Sequence, residues 1–305
     1  MQRNFVEEIK HQWKYGGVHI KLIGINLIVF LVIGLLLTIG RLVFGELNNH
    51  MVPIVDLLFT LHGNIQGFLV RPWGLITSIF AHFELFHFLF NMVFLYFASM
   101  LFLRYFSSSR LLYTYIFGGI LGGLFQIVAY SVFPGLQGIT TYVVGASGSV
   151  MAIFMAAAFY RPMEEIRLFG VLPIKMIFLA GFFILMDLLR LGTMDNVAHF
   201  AHLGGITFGV LSIRNLSSPT NIVTRLQRIV ENTQRYFKGQ QRLKVKKGGS
   251  ATSKPYDTRS DDEFKAYKKQ QQAQIDAILD KISKSGYDSL TKKEKQILFD
   301  QSNNN

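Results

Sequence analysis

Ser147 stands in the run YVVGASGSVMAIFMAAAFY (142–160), flanked by Gly145, Ala146 and Gly148 inside an otherwise apolar stretch. A buried hydroxyl without a partner costs roughly 2–7 kcal/mol, depending on the reference state. A serine in that setting needs a hydrogen-bonding neighbour, and two other apolar stretches offer one. They are HFLFN (87–91), with His87 and Asn91, and HFAHLGG (199–205), with His199 and His202. These are the residue types of acyl transfer. A serine hydroxyl is a weak nucleophile until a base takes its proton, which a neutral imidazole can do. The tetrahedral intermediate then needs donors aimed at its oxyanion. The Asn91 amide, the Ser147 backbone N–H and a His87 ring N–H would supply them. A helix starting at Ser147 would add its N-terminal dipole, and Gly145 and Gly148 permit a tight approach to that start.

Each residue also has a plainer use. His87 and Asn91 lie four apart on one helical face and could simply bond to each other. Ser147 could bond back to a carbonyl or ease helix contact, and His202 could be a satisfied interior histidine. His199 and His202, with His82 and His87, could bind zinc. However, HExxH is absent, and the nearby carboxylates are only Glu84, Asp187 and Asp195. No metal site is expected. Asp187 is expected to pair with Arg190 one turn on, and Trp73 to anchor at the membrane interface. Joint placement is what favours chemistry, and that depends on the elements carrying these residues.

The 305 residues are 50% hydrophobic, include 28 Phe and are only 16% charged. That profile excludes an ordinary soluble enzyme and fits an all-α polytopic membrane protein with a soluble appendage. With no cysteine there is neither a disulfide nor a thiolate metal site. The +12 net charge clusters beside apolar segments and in the tail, which points to a lipid-facing cytoplasmic surface and not to nucleic acid. A cleavable signal peptide is not evident. Crossing ~30 Å of hydrocarbon takes about 20 apolar residues in a helix. Six stretches qualify: 22–44, 86–105, 111–133, 143–160, 171–190 and 199–213. The third carries Gly118, Gly119, Gly122 and Gly123 for close packing, and the sixth is short, as if shielded by protein.

Lys and Arg fill the N-terminus, the 104–110 and 161–167 turns and everything after Arg214, so both termini are expected in the cytoplasm. The second, fourth and sixth segments then all run from outside to inside. Their polar residues (His87 and Asn91, Ser147, His199 and His202) sit near the segments' beginnings and so share one depth. Three separate stretches converge on one layer.

The expected organisation is an amphipathic N-terminal segment (1–21), a six-helix membrane domain (22–214), a basic juxtamembrane helix and linker (215–260), and a small helical tail (261–305). Residues 221–238 read as a surface helix with Ile222, Leu226, Ile229, Val230 and Phe237 near one face. In the tail, 261–286 reads as a helix stopped by Gly286, and a second follows with Ser289 or Thr291 as its cap.

HFLFN (87–91), GASG (145–148) and AHLGGITFG (201–209), in this order on such segments, resemble the rhomboid intramembrane serine proteases over about 20–214. The resemblance implies a six-helix bundle and an endopeptidase that cuts transmembrane segments of membrane-anchored proteins without a cofactor. It implies a plasma-membrane location in bacteria. Ser147 would be the nucleophile and His202 the base, in a dyad without aspartate; His202 is chosen over His199 because Gly205 follows three residues on. Asn91 and His87 match the oxyanion-supporting pair, His82 a further upstream histidine, and Gly205 and Gly209 a small-residue face toward the fourth helix. The 45–85 loop resembles the family's partly embedded first loop. Gly74 stands where its Trp-Arg motif has Arg, and Met151 where some members have Tyr. The alternative is a non-catalytic relative that binds transmembrane helices and presents them to other machinery.

Overall fold

The computed structural model describes residues 16–46, 50–139, 141–168, 171–193, 197–237 and 261–302, and the isolated residues Asn4, Glu7, His11 and Trp13. Arg3, Lys10 and Lys14 of the expected N-terminal segment, Asp195 and the linker 243–255 lie outside them. The chain divides into two compact units, Met1–Arg242 and Leu243–Asn305.

Among the described residues of the first unit, three helices are long and apolar enough to cross a membrane: α1 (Val18–Phe44), α5 (Leu85–Phe102) and α6 (Ser108–Val132). Three shorter ones match the other expected segments: α7 (Ser147–Tyr160), α8 (Met176–Leu189) and α9 (His199–Ser212). Fourteen residues at about 1.5 Å each fall short of the ~30 Å apolar layer. For α7 this follows from its position, since every residue from Gly148 to Ala158 is buried. A helix apolar on all sides is a core helix. α1 is the opposite case, exposing Leu31, Leu35 and Leu42 as a lipid-facing helix would.

Two boundaries differ from the hydropathy reading. The fifth segment does not start at 171: Leu172–Lys175 (β4) pairs antiparallel with Glu165–Leu168 (β3), and the helix begins at Met176. Pro173 lacks the N–H a helix interior requires, and this two-stranded ribbon tolerates it. The fourth segment starts at Ser147, because Tyr142–Val143 (β2) is a strand paired with Leu61–His62 (β1). The described stretch 50–85 of the 45–85 loop therefore carries its own elements. It contains α2 (Met51–Phe59), α3 (Ile65–Val70) and α4 (Gly74–Thr77), and its β1 is tied to the strand that leads into α7.

Small residues bring the central helices together. A Cβ on Gly205 of α9 would lie 2.0 Å from the Gly148 carbonyl oxygen of α7, and one on Gly209 would lie 2.4 Å from the Ala152 oxygen. On α6, a Cβ at Gly118 would meet Ala152 at 2.3 Å, and one at Gly122 the Ala201 oxygen at 2.6 Å. Backbone contact of this kind replaces the hydrophobic drive that lipid cannot supply. Arg110, expected on the basic face, is buried; its guanidinium donates to Ser212 O and to Asn221 Oδ1 (3.0 Å), fastening the end of α9 to α6.

Asn221 caps α10 (Ile222–Phe237) by accepting from Val223 N and Thr224 N. The first turn of α10 packs on protein: Val223 is buried, with Ile222 and Leu226 beside Tyr113 and Phe117. Ile229 and Phe237 stay exposed, so only part of the expected membrane-facing stripe is open. The second unit holds α11 (Asp261–Ser285) and α12 (Lys292–Ser302), with Gly286 at φ +76° between them. Thr291, not Ser289, is the cap of α12. Its hydroxyl accepts from Glu294 N while its own N–H donates to Glu294 Oε2, a reciprocal capping box.

Candidate active site

Ser147 is the first residue of α7, and the segment before it is held from three sides. The β1–β2 ladder ends at Val143, Gly145 N donates to Ser78 O (2.9 Å), and Ala146 N donates to His82 Nε2 (3.3 Å). Gly145 has φ +119°, a conformation L side chains rarely adopt. A Cβ there would also lie 2.8 Å from His87 Cε1. Glycine is thus required twice over, by its backbone and by the ring beside it.

From α9, His202 Nε2 lies 2.8 Å from Ser147 Oγ. On the ring's other side, His202 Nδ1 lies 2.8 Å from Asp187 Oδ1, and His199 Nδ1 lies 2.7 Å from that same oxygen. Asp187, expected beside Arg190, thus directs its carboxylate from the last turn of α8 to two imidazoles. A carboxylate oxygen accepts, so both Nδ1 atoms carry the protons. The lone pair of His202 then sits on Nε2, facing the hydroxyl. That is the tautomer in which the imidazole can take the serine proton.

Ser147 and His202 line a cavity of about 770 Å³ together with His87, Asn91, Glu84 and Tyr130. Asn91 Nδ2 donates to the backbone oxygen of His87 (2.9 Å), not to its ring. An amide nitrogen has two N–H groups, so the second remains for a ligand. The His87 ring stacks edge-on to His82, with centroids 5.1 Å apart. The four histidines weighed as a zinc set fall into two pairs, His82 with His87 and His199 with His202. Among the described residues, the ligand atoms that cluster are instead those of Asp187, His199 and His202, within 4.8 Å of one another.

The first loop is anchored without the Arg at position 74. Arg71 donates to Asp56 Oδ2 and to His62 Nε2, both at 2.8 Å, and Trp73 Nε1 donates to Leu57 O (2.8 Å). A Cβ on Gly74 would sit 2.4 Å from Thr60 O, so the backbone there is too close for any side chain. Trp73 is therefore a loop tether as well as a half-exposed ring. Met151 packs as core beside Val150 and Phe154. Sequence reasoning missed the Asp187 contact and the supports from Ser78 and His82. A carboxylate inside an apolar helix was the available signal for Asp187.

The fold and the site together define a class: an α-helical integral membrane protein with a hydrogen-bonded serine–histidine pair at the start of its central helix. Comparison with known proteins gives the family. Residues 69–218 match the Rhomboid domain, and through it the chain belongs to the rhomboid family. It is similar to the RHOMBOID-like protein 12, mitochondrial, of Arabidopsis thaliana, at 29% identity over 184 residues, or 57% of this chain and 54% of that one. The chain thus spans about half the length of that relative. Residues 259–304 match a family of unknown function, DUF6576.

Proposed function

We propose that this protein is an intramembrane serine endopeptidase that cuts transmembrane segments of membrane-anchored proteins near their outer ends. The 2.8 Å contact between Ser147 Oγ and His202 Nε2 at the cavity wall carries this reading. His202 takes the hydroxyl proton as Ser147 Oγ attacks the scissile carbonyl carbon. The oxyanion is met by the Ser147 N–H, the second Asn91 N–H and a ring N–H of His87. His202 then returns the proton to the leaving amine, and water releases the acyl group by the same steps in reverse roles.

A transmembrane helix hides its peptide bonds in its own hydrogen bonds, so the scissile stretch must unwind first. Stretches rich in Gly, Pro or small residues unwind most easily. α8 is the element suited to admit such a substrate sideways. Of its 14 residues only Met176, Ala180 and Asp187 are buried, while Phe178, Phe182 and Leu185 face outward. The Lys and Arg distribution supports both termini on the cytoplasmic side.

Purified protein reconstituted with a transmembrane substrate tests the reading. Wild type is expected to cut and Ser147→Ala to fail. Equal cutting by the two would remove Ser147 as nucleophile. Binding without cutting by both, across a broad substrate panel, would make the protein a helix-binding relative instead.

A further inference from the structure

Asp187 has no part in a two-residue mechanism, yet its placement is specific. It lies in the last turn of an otherwise apolar helix, is buried, and sends one oxygen to both Nδ1 of His202 and Nδ1 of His199. Its other oxygen, Oδ2, is buried with no hydrogen-bond partner among the described residues. A carboxylate under those conditions is costly, and a carboxylate kept only for packing would not leave an oxygen unsatisfied. The contacts fit a different task.

We infer that Asp187 is a positioning residue that completes a Ser147–His202–Asp187 chain, with His199 as the second tether of its carboxylate. This rests on the reading of Ser147 and His202 as the reacting pair. By accepting the Nδ1 proton, Asp187 fixes the tautomer that leaves Nε2 free to face Ser147. When Nε2 takes the serine proton, the ring becomes an imidazolium, and the adjacent negative charge stabilises it. The proton stays on the imidazole and the carboxylate remains ionised, so no charge is created on Asp187. His199 prevents the carboxylate from turning away, because its own Nδ1–H holds the same oxygen from a different direction. Two hydrogen bonds to one atom define its position better than one. His199 and His202 lie three apart on one face of α9, which gives the three-residue spacing a purpose of its own.

The test uses the full chain in lipid, comparing wild type, Asp187→Asn, His199→Gln and Ser147→Ala on a reconstituted transmembrane substrate. The ring nitrogens of His202 are read alongside by NMR after 15N-histidine labelling. Asp187→Asn should lower kcat by about 10²–10⁴-fold with KM little changed, because the wrong tautomer is stabilised while the pocket is kept. His199→Gln should give a smaller loss of the same kind. In wild type the His202 proton should be on Nδ1, and in Asp187→Asn it should move to Nε2. Asp187→Asn cutting at the wild-type rate while Ser147→Ala is inactive would overturn this inference and leave the protease reading intact. Loss of cutting by wild type itself would strike the protease reading first. If Asp187→Asn fails to fold, the wild-type spectrum still decides, since a proton on Nε2 of His202 would overturn the inference.

Discussion

The Cα of Gly205 in α9 faces the carbonyl oxygen of Gly148 in α7 so closely that a Cβ would stand 2.0 Å from it. Gly205 lies three residues after His202, and Gly148 follows Ser147 directly. The backbone contact and the side-chain contact are therefore one piece of geometry: the helices meet where the glycines allow, and the imidazole reaches the hydroxyl one turn away. Gly205→Ala should force the helices apart, destabilising the protein by about 1–3 kcal/mol and lowering cleavage together with thermal stability. A melting curve and a cleavage assay on the same sample check this.

Asn91 should separate from Gly205 in kind. Asn91→Ala removes a donor that is needed when charge builds on the substrate oxygen, so kcat should fall by about 10²-fold or more with little change in KM. Steady-state kinetics on a transmembrane substrate distinguishes the two. A rise in KM alone would move Asn91 from oxyanion stabilisation to substrate binding.

Gly145→Ala tests the turn before the serine. The alanine must adopt φ +119° and meets the His87 ring, a strain of about 1–3 kcal/mol. Activity should drop more than it does for Gly148→Ala, whose Cβ would lie 3.1 Å from the Ala201 oxygen, a tight approach that asks α9 to give by a few tenths of an ångström but adds no strained φ. Parallel cleavage assays of the two variants give the comparison.

How legible these positions were varied with what held them. Ser147, His87, Asn91 and the pair His199 and His202 were readable because they stand near the beginnings of apolar segments that the Lys and Arg pattern is expected to run in one direction, and because their types belong to one reaction. The choice of His202 over His199 came from the family resemblance. The Gly205 and Gly209 face followed from the family resemblance carried by AHLGGITFG (201–209). The Asp187 contact was not readable. It spans 15 residues between α8 and α9, carries no helical period, and depends on the angle at which two helices cross. Arg190, one turn away in sequence, was the nearer and wrong choice of main partner. The start of α8 was lost because the apolar Val171, Leu172 and Ile174 extend the hydrophobic stretch upstream, where strand pairing with Glu165–Leu168 decides the backbone. The tightness at Gly74 comes from Thr60, on another part of the loop, and no local pattern announces it.

In the second unit, Lys281 holds the Glu294 carboxyl well below its ordinary range, down to about 2, aided by the Thr291 N–H and hydroxyl. The ionised form is the one bonded in the fold. The contribution of this pair is therefore present above the ordinary glutamate range and is lost as pH falls through about 2. A carboxyl NMR titration should find Glu294 still ionised well below the ordinary glutamate range. Lys281→Ala should bring it back toward that range.

The central claim, that His202 makes Ser147 a nucleophile, is tested most directly by active-site labelling. A fluorophosphonate probe on the reconstituted full chain, followed by mass spectrometry of the labelled peptide, reports which residue reacts and how fast. A single adduct on Ser147 is expected, absent from Ser147→Ala and formed about 10²–10⁴-fold more slowly by His202→Ala. Labelling of His202→Ala at the wild-type rate, or an adduct on any other residue, would contradict it.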